Sequence, residues 1–530
     1  MKRTLFYVVA LVALVSPVAS AEITMPPIFG DNMVLQQNGA RVFGTAAPGT
    51  SVTVEMKAST DGKAAACSAA TSVGKDGKWC VEVKTPKSAG MTWTVTVKEN
   101  KTLAKTFKNV LLGEVWICSG QSNMGFSLSQ SAGGKGAITD SADDQLRLIQ
   151  IPQESKDDPQ TTHGGSWAAA SPETTSKFSA VGYYFGRELR KRYKCPIGLI
   201  KSAWGGSRCE AWISKEGLIQ GGFEESYIIR YEAVLDKIKA FTKQKADYRA
   251  KLADYDKREK EGKLKEGERK PGPPRGKRPK GGFGANHQPT RLYNGMIHPL
   301  VPLKVAGAIW YQGEANTQSM GNAKQYATLF PALINDWRRV FKNDKMKFLW
   351  VQLANFRGGQ RAPAEAGNSW AELQFSQTAT LKLPLTGQAV INDLGEGKNI
   401  HPRKKLDVGK RLAAVEARLA KDPNCKHRTS GPMLKECTLK GSKAALEFYA
   451  AGDALAIRGD GDLKGFGVCD KDGKWHWATA KITGKLTIEL TAPAGVTITR
   501  VCYNWGGNPR GNLVDGAGHP AGLFRSELEK

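Results

Sequence analysis

Three apolar runs of the chain are each followed by side chains that can do chemistry. Val-Trp-Ile-Cys at 115–118 leads into Gly-Gln-Ser-Asn-Met at 120–124, which places the hydroxyl of Ser122 directly after a predicted strand. A second run leads into the amide-rich loop 312–316, and a third, at 389–392, precedes His401. Because open α/β sheets hold reactive groups at the carboxyl ends of their strands, these residues can meet in one cleft. They predict a serine nucleophile with an imidazole base.

Each of these residues also has an ordinary structural interpretation. A lone Gly-x-Ser after a strand is more often a strand-to-helix turn in which the serine or the next residue caps the helix. His401, next to Pro402, could equally be a hydrogen-bonded loop histidine. The glycines at 205 and 206 could serve a tight turn alone. Several such groups, in the chain order that a hydrolase needs, are more specific than any one of them.

Longer motifs around these residues resemble the sialate O-acetylesterases of the SGNH hydrolase superfamily. They are Gly-Gln-Ser-Asn-Met at 120–124, Trp-Gly-Gly-Ser at 204–207, Leu-Tyr-Asn-Gly-Met-Ile at 292–297, Trp-Tyr-Gln-Gly-Glu-Ala-Asn at 310–316 and Ile-His-Pro at 400–402. The resemblance extends from about Ile28 to Arg525, apart from roughly residues 237–280. It implies a flavodoxin-like α/β/α domain with a parallel sheet. It also implies an esterase that removes O-acetyl groups from sialic acids or sialoglycans through a serine acyl-enzyme, without metal or cofactor.

The resemblance assigns Ser122 as nucleophile and His401 as base, and leaves the group that orients His401 open. In the family an acid usually lies two or three residues before this histidine, where this chain has Lys398 and Asn399. Asp393, at the end of the third predicted strand, is the favoured orienting acid. Glu396 and a backbone carbonyl are the alternatives.

The tetrahedral intermediate of ester hydrolysis carries an oxyanion that needs preplaced hydrogen-bond donors. Losing one donor typically costs on the order of 3 kcal/mol of barrier. The backbone N–H groups of Ser122 and Gly206 are candidates. The family resemblance adds the side-chain amide of Gln312, with Asn316 in reserve.

Six further residues are candidates for a sugar-binding pocket: Asn123, Trp204, Arg208, Asn294, Tyr311 and Glu314. Aromatic faces can stack on sugar rings, but aromatic residues beside strands are at least as often sheet core. Arg208 is the strongest candidate, because arginine presents two parallel donors to a carboxylate.

The chain of 530 residues is long enough for two to four domains. Residues 1–21 have a basic start, a short apolar run and a small-residue end. This pattern predicts a signal peptide cut near Ala21, hence a secreted or periplasmic protein without a membrane span.

Residues 22–109 and 430–530 show short β-type runs between turns, typical of antiparallel β-sandwich modules. Residues 110–235 and 281–425 alternate strands with helices, as in a parallel sheet covered by helices on both faces. The predicted strands there are 114–118, 146–151, 197–201, 305–310, 347–352 and 388–392.

The formal net charge is +27, and much of it lies within residues 236–280. The Lys-, Glu- and Ala-rich part of this segment predicts a long solvated helix to about Lys265, and the Pro- and Gly-rich tail must end it. Such a segment is most often an exposed insertion; a lid or a contact with anionic surfaces is the alternative. Positive charge favours anionic partners, but the stretch has few aromatic residues and no nucleic-acid-binding signature. Nucleic acid is therefore not an expected partner.

Nine cysteines are compatible with an oxidising compartment, and the odd number leaves at least one thiol free. The spacing allows three disulfides that would close hairpins or loops: Cys67–Cys80, Cys425–Cys437 and Cys469–Cys502. No Cys-x-x-Cys pair or His-x-x-x-His spacing indicates zinc. The sequence gives no support for a metal-dependent mechanism.

Other functions remain open at this level. Acetylated plant polysaccharide such as xylan is an alternative substrate, and a catalytically inactive secreted carbohydrate-binding protein is an alternative of another class. A purely electrostatic binder of surfaces or nucleic acid is the least favoured. The α/β-hydrolase fold is disfavoured, because Met124 stands where the strained Gly-x-Ser-x-Gly turn needs its second glycine.

Overall fold

The structure, a computed structural model, describes residues 22–58, 66–87, 90–274, 284, 286–450, 452 and 454–526. The predicted signal peptide therefore lies outside the described residues, as does part of the basic tail, 275–283. No helix in the described part of the chain is long and apolar enough to cross a membrane.

The N-terminal region consists of β-strands in two sheets. The strands are β1 (Val34–Gln36), β2 (Ala40–Thr45), β3 (Ser51–Ala58), β4 (Ala66–Ser72), β5 (Lys78–Val83), β6 (Thr92–Glu99) and β7 (Thr102–Gly120). β2 pairs with β5, and β3 pairs with both β4 and β6, all antiparallel. In β5 exposed residues alternate with the buried Trp79, Val81 and Val83, the period expected of a strand with one face in a core.

The long strand β7 joins this region to the rest of the protein. Its first half pairs antiparallel with β6, and from Glu114 onward it pairs in parallel with strands of a central sheet. The predicted boundary after residue 109 therefore falls inside a strand. Since the buried apolar residues of both regions form one continuous core, the N-terminal sheets support the strand that ends before Ser122.

The central region alternates strands and helices, as predicted. Its elements are α1 (Ser122–Gly125), α2 (Gly134–Thr139), β8 (Asp143–Gln150), β9 (Ala168–Ala170), α3 (Pro172–Thr175), α4 (Ala180–Tyr193), β10 (Ile197–Ala203), α5 (Lys215–Gln220), α6 (Arg230–Lys260), β11 (Gly307–Tyr311), α7 (Met320–Val340), β12 (Lys347–Val351), α8 (Ser369–Ala379), β13 (Thr386–Ala389) and α9 (Lys405–Lys421). The sheet order is β13-β12-β11-β7-β10-β8-β9. All pairs along this order are parallel except β8 with the edge strand β9, so the sheet is mixed.

The packing of the central strands follows from their composition. Every residue of β10 and of β11 is buried, as expected of parallel strands covered on both faces. Helix α4 packs against α9, and α7 packs against α8. In the register of the sheet, Gly120 of β7 pairs with Ala203 of β10 and with Tyr311 of β11. The loops that follow these three strands therefore start at the same edge of the sheet.

The basic insertion contains the predicted helix, which starts earlier than expected. α6 runs from Arg230 to Lys260, and most of its residues are exposed. Arg258 forms ion pairs with Asp254 and with Glu268 at the end of this helix. Of its residues only Tyr231 and Tyr255 are buried, which fits a helix that lies mainly in solvent.

The C-terminal region is antiparallel β-structure with its own core. Its strands are β14 (Met433–Lys440), β15 (Lys443–Tyr449), β16 (Leu455–Ile457), β17 (Phe466–Cys469), β18 (Trp475–Trp477), β19 (Thr479–Gly484), β20 (Thr487–Thr491), β21 (Arg500–Tyr503), β22 (Leu513–Asp515) and β23 (Phe524–Arg525). They form the sheets β14-β15-β20-β19 and β18-β17-β21-β23 and the pair β16-β22. Cys502, Trp505 and Leu523 pack with Ala371 of α8, which joins this region to the central one.

The three disulfides that the spacing allowed do not form among the described residues. Cys67, Cys80, Cys425, Cys469 and Cys502 are all thiols. For the last pair the reason is register: Cys469 faces Arg500 and Cys502 faces Gly467, so the two cysteines are diagonal neighbours. Diagonal positions on antiparallel strands lie roughly 7–8 Å apart, beyond the reach of a disulfide.

Candidate active site

Ser122 and His401 meet at the edge of the central sheet. Ser122 Oγ lies 2.7 Å from His401 Nε2, although 279 positions separate the two residues in the chain. Ser122 is the first residue of α1, and the residue at the N-cap is Gln121, so Ser122 does not cap this helix. The sharp turn before it depends on Gly120, whose φ is +134° and where a Cβ would lie 2.2 Å from Tyr311 O. The structure thus positions the predicted nucleophile within hydrogen-bond reach of the predicted base.

His401 lies in the loop between β13 and α9, and the side chain of Asn399 holds this loop. Asn399 Oδ1 accepts from the backbone N–H of His401, and Asn399 Nδ2 donates to the His401 carbonyl, both at 3.0 Å. Partial burial and the positive charge of Lys405 hold the pKa of His401 below its ordinary value. The imidazole is therefore neutral at neutral pH, which is the form that can take a proton from serine.

Asp393 does not reach His401, so the favoured orienting acid is not found where it was expected. Its two carboxylate oxygens accept from Arg411 at 2.6 and 2.8 Å, and Arg458 of the C-terminal region lies 2.9 Å away. Burial acts to raise the pKa of Asp393, but the two arginines outweigh it and lower the pKa. The carboxylate is occupied by these ion pairs and not by the imidazole.

Glu396, the alternative acid, lies near His401 in the chain and contacts it only through Asn399. Its carboxylate accepts from the backbone N–H of Arg403 at 3.0 Å and from Asn399 Nδ2 at 3.1 Å. Within the described residues no carboxylate forms a hydrogen bond with His401. The geometry is that of a Ser-His pair whose loop is fastened by Glu396 and Asn399.

The loop 204–207, called the oxyanion loop below, lies directly against the serine. A Cβ added to Gly205 would be 3.5 Å from Ser122 Cβ, and Gly206 has a left-handed φ of +68°. In the part of the chain that the structure describes, the backbone N–H groups of Ser122, Gly205 and Gly206 donate to no protein acceptor. Unused N–H groups beside a nucleophile can receive an oxyanion.

Gln312, by contrast, is not presented to the site. It is fully buried, and its Nε2 donates to Ser207 O at 3.0 Å and to Asn316 Oδ1 at 2.7 Å. The reserve residue Asn316 is used in the same way, since its Nδ2 donates to Glu210 at 3.0 Å. Gln312 therefore holds the oxyanion loop from the protein side, while Asn316 holds Gln312 and Glu210. The expectation that Gln312 donates to the oxyanion is not met.

A buried polar network that includes one unpredicted residue lies behind Ser122. Asn123 Nδ2 donates to Glu314 at 2.6 Å and to Ile400 O at 2.9 Å, and its Oδ1 accepts from Lys405 at 2.5 Å. Lys405 is fully buried, with its Nζ 4.9 Å from the ring centre of Tyr311. Burial lowers the pKa of Lys405 to about 7 and raises that of Glu314. The lysine sits four residues after the histidine, on the first turn of α9, a position that no sequence motif marked.

The remaining candidates for sugar binding lie at different depths. Tyr311 is fully buried, and Asn294 is buried with its amide donating to Asp157 O at 2.7 Å, so neither offers a free surface. Trp204 is half-buried beside Gly205. Arg208 bonds to Gln318 and lies 3.7 Å from Glu210, while its buried Nε finds no hydrogen-bond partner among the described residues. Trp204 and Arg208 are therefore the candidates that remain able to touch a ligand.

Metal-binding clusters are not found within the described chain. No group of three or more His, Cys, Asp or Glu side chains there is arranged to hold an ion.

Comparison with known proteins identifies relatives over nearly the whole chain. The family model "carbohydrate esterase, sialic acid-specific acetylesterase" matches residues 112–252 and 281–416. Mouse sialate O-acetylesterase is 29% identical over 94% of this chain and 92% of its own length, and the human protein 28% over 90% and 86%. A crystal structure of a carbohydrate acetylesterase from Xanthomonas citri shares 33% identity, with a TM-score of 0.75 over 95% of this chain and 99% of that one. The gap in the family match, 253–280, falls in the basic insertion.

Proposed function

We propose that this chain, which belongs to the sialic acid-specific acetylesterase family of carbohydrate esterases, removes O-acetyl groups from sialic acids through a serine acyl-enzyme. Membership of this family makes the chain a carboxylic ester hydrolase. The single observation that carries the serine mechanism is the 2.7 Å distance between Ser122 Oγ and His401 Nε2.

The first half of the proposed reaction forms an acetyl-enzyme. His401 Nε2 takes the proton of Ser122 as Oγ attacks the acetyl carbonyl, and the new bond leaves negative charge on the carbonyl oxygen. The unused backbone N–H groups of Ser122 and Gly206 stabilise this oxyanion. When the intermediate collapses, the bond to the sugar oxygen breaks and the imidazolium returns its proton to that oxygen.

The second half releases acetate. Water attacks the acetyl group on Ser122 while His401 accepts its proton, and collapse of the second tetrahedral intermediate returns that proton to Oγ. The Ser-His pair carries out this sequence of transfers, and the burial of His401 and the charge of Lys405, which lower its pKa, favour the neutral imidazole that takes the proton in each half.

The choice of sialic acid as substrate is supported by charge. A sialic acid carries a carboxylate, and the guanidinium of Arg208 can bind it from two nitrogens. The net charge of +27 and the exposed basic helix α6 raise the local concentration of anionic glycans near the surface. Neutral polysaccharides gain nothing from either feature.

The proposed organisation completes this function. The parallel strands, with α4 and α9 forming one helix pair and α7 and α8 the other, correspond to the three-layer SGNH domain. The N-terminal and C-terminal strands correspond to β-sandwich modules. We assign residues 1–21 as a signal peptide, so the mature enzyme would act in the periplasm or outside the cell.

The test measures acetate release in parallel from O-acetylated sialoglycans and from acetylated xylan. We expect release from the sialoglycans that Ser122→Ala abolishes, and little release from xylan. Arg208→Met should raise KM for O-acetylated free sialic acid but leave KM unchanged for the methyl ester of the same sugar, in which the carboxylate charge is absent. Faster release from xylan, or equal effects of Arg208→Met on both sugars, would contradict the substrate assignment.

A further inference from the structure

The carbonyl groups of the oxyanion loop are all engaged by hydrogen bonds. Trp204 O accepts from the Ser207 backbone at 3.2 Å, and Ser207 O accepts from Gln312. The two glycine carbonyls between them are bound by a different part of the chain, the segment 286–290, which follows the basic insertion and is called the return segment below. Asn286 Nδ2 donates to Gly205 O at 2.8 Å, and His287 Nε2 lies 2.6 Å from Gly206 O.

Each contact fixes which atom of its side chain is the donor. A carbonyl oxygen can only accept, so Asn286 must present its NH₂ group and His287 must carry a proton on Nε2. Burial and the charge of Arg208 lower the pKa of His287, although its bond to Gly206 O acts in the opposite sense. His287 can therefore donate to Gly206 O as a neutral imidazole.

The bond from Asn286 fixes the direction of one catalytic N–H group. In a trans peptide the C=O and the N–H point to opposite sides of the chain, and the Gly205–Gly206 peptide is trans. Because Asn286 holds Gly205 O on one side, the Gly206 N–H must point to the other side. The glycines themselves lie between the return segment and the nucleophile: a Cβ on Gly206 would be 3.2 Å from Asn286 Nδ2, and one on Gly205 would be 3.5 Å from Ser122 Cβ.

The return segment is itself anchored on both flanks. His287 N–H donates to Gly284 O at 2.8 Å, and the backbone N–H of Thr290 donates to Glu210 O at 3.1 Å. The side chain of Gln288 accepts from Tyr231 OH, at the start of α6, at 2.9 Å. Two glycines alone leave a loop free to turn its peptide planes, and these contacts remove that freedom.

We propose that Asn286 and His287 are positioning residues that lock the two glycine peptides of the oxyanion loop, so that the Gly206 N–H meets the oxyanion formed on Ser122. This inference rests on the proposed function, since it assumes that Ser122 is acylated. It gives the return segment, which follows the basic insertion, a role in the reaction that is separate from any effect of the insertion's charge.

The test uses side chains of matched shape and two readouts. Asn286→Asp keeps the shape but replaces the donor with an acceptor, and His287→Leu removes the donor while keeping bulk. His287→Gln retains an N–H at a similar reach. Asn424→Ala, an exposed asparagine beyond α9, is the control. The substrate is an aryl acetate, and the second readout is Ki for an aryl trifluoromethyl ketone, which forms an anionic tetrahedral adduct with an active serine.

Loss of a whole oxyanion donor lowers turnover by a factor on the order of 10²–10³, so a donor left misaligned should cost roughly tenfold. We expect Asn286→Asp and His287→Leu to lower kcat by about this factor with KM unchanged, and to raise Ki of the ketone by the same factor. His287→Gln and Asn424→Ala should keep the wild-type kcat. A purely structural role would lower Tm or the fraction of titratable serine without moving Ki in step with kcat.

The outcomes separate this inference from the function on which it rests. Wild-type kcat and Ki in both Asn286→Asp and His287→Leu would overturn the positioning role while leaving the esterase intact. A fall in kcat without any change in Ki would overturn it as well. A wild-type protein that releases no acetate from the aryl ester would instead contradict the proposed function itself.

Discussion

Replacing Asp393 should separate stability from catalysis. Its side chain is 12% exposed and that of Arg411 10%, with two hydrogen bonds between them, and Arg458 adds a third contact from the C-terminal region. Removing one partner of a buried ion pair costs about 3–5 kcal/mol, because the remaining charge is left uncompensated. Asp393→Asn should therefore destabilise the protein by at least about 3 kcal/mol. At roughly 2–4 °C per kcal/mol for a domain of a few hundred residues, Tm would fall by about 6–12 °C.

The same substitution should have little effect on turnover by the folded enzyme. The orienting acid of a serine triad typically accelerates turnover by about 10⁴-fold, whereas Asp393 has no contact with His401, so we expect kcat within about threefold of wild type at a temperature well below Tm. Glu396→Gln is the matched comparison, since it removes an exposed acid that fastens the loop of His401 through Asn399. It should leave Tm nearly unchanged and lower kcat by about fivefold, the cost of roughly one hydrogen bond. The assays are thermal unfolding and initial rates on an aryl acetate. If Asp393→Asn instead slowed turnover by about a thousandfold or more while its Tm equalled that of the wild type, the Ser-His pair would be refuted and Asp393 would be restored as the orienting acid.

Single contacts near the site lead to three further predictions. Burial and, to a smaller extent, the charge of Lys405 lower the pKa of His401. Lys405→Met removes that charge, so the acid limb of the kcat/KM profile should move to higher pH; an unmoved limb would show that Lys405 does not act on the base. Asn399→Ala frees both backbone groups of His401 and should lower kcat by about tenfold with little change in KM, measured on an aryl acetate; a rate equal to wild type would mean that the loop needs no such support. Gly120→Ala places a Cβ 2.2 Å from Tyr311 O at a positive φ, so we expect little soluble, folded protein on gel filtration; a product with the wild-type elution volume and Tm would contradict the described turn.

The sign of the wild-type pH dependence follows from the same histidine. Neutral imidazole is the active form, so kcat/KM should rise as pH increases through the pKa of His401 in the free enzyme and then level off. Because that pKa is lowered, the midpoint of the rise should lie on the acid side of an ordinary histidine. Rates on an aryl acetate from acid to neutral pH measure it directly, and a midpoint above the ordinary value would contradict the environment described for His401.

The sequence was most informative where reactive side chains follow the end of a predicted strand. The strands predicted at 197–201 and 305–310 are present as β10 and β11, buried on both faces, and Ser122 and His401 meet beyond the sheet as their positions indicated. The order of the strands in the sheet cannot be predicted from their residues. The loops that follow neighbouring parallel strands nevertheless start at the same edge of the sheet, so they meet in any strand order that makes those strands neighbours.

Partners of polar side chains were much less predictable. Asp393 is eight residues from His401 in the chain, yet its carboxylate is taken by Arg411 and by Arg458 from another region, which no local pattern reveals. The side-chain amide of Gln312 likewise donates to Asn316 in its own loop. Short-range spacing reports which groups are near in sequence, whereas hydrogen bonding inside a core is decided by competition among all groups that the fold brings together.

The predicted domain boundary after residue 109 shows a similar limit of local sequence patterns. Residue 109 lies in the middle of β7, whose two halves pair with different sheet regions. A change in pairing partner along one strand leaves no mark in composition. The buried Lys405 also escaped notice, because a lysine at the start of a helix is usually solvated.

The most direct test of the mechanism is to trap the acetyl-enzyme. The protein would be mixed with O-acetylated sialic acid, quenched in acid within milliseconds, digested and analysed by mass spectrometry for an acetyl group on the peptide that contains Ser122. We predict an acetylated Ser122 peptide in the wild type, none in Ser122→Ala, and a strongly reduced amount in His401→Ala. Release of acetate at the wild-type rate by Ser122→Ala would contradict the central claim that Ser122 and His401 together carry out the hydrolysis.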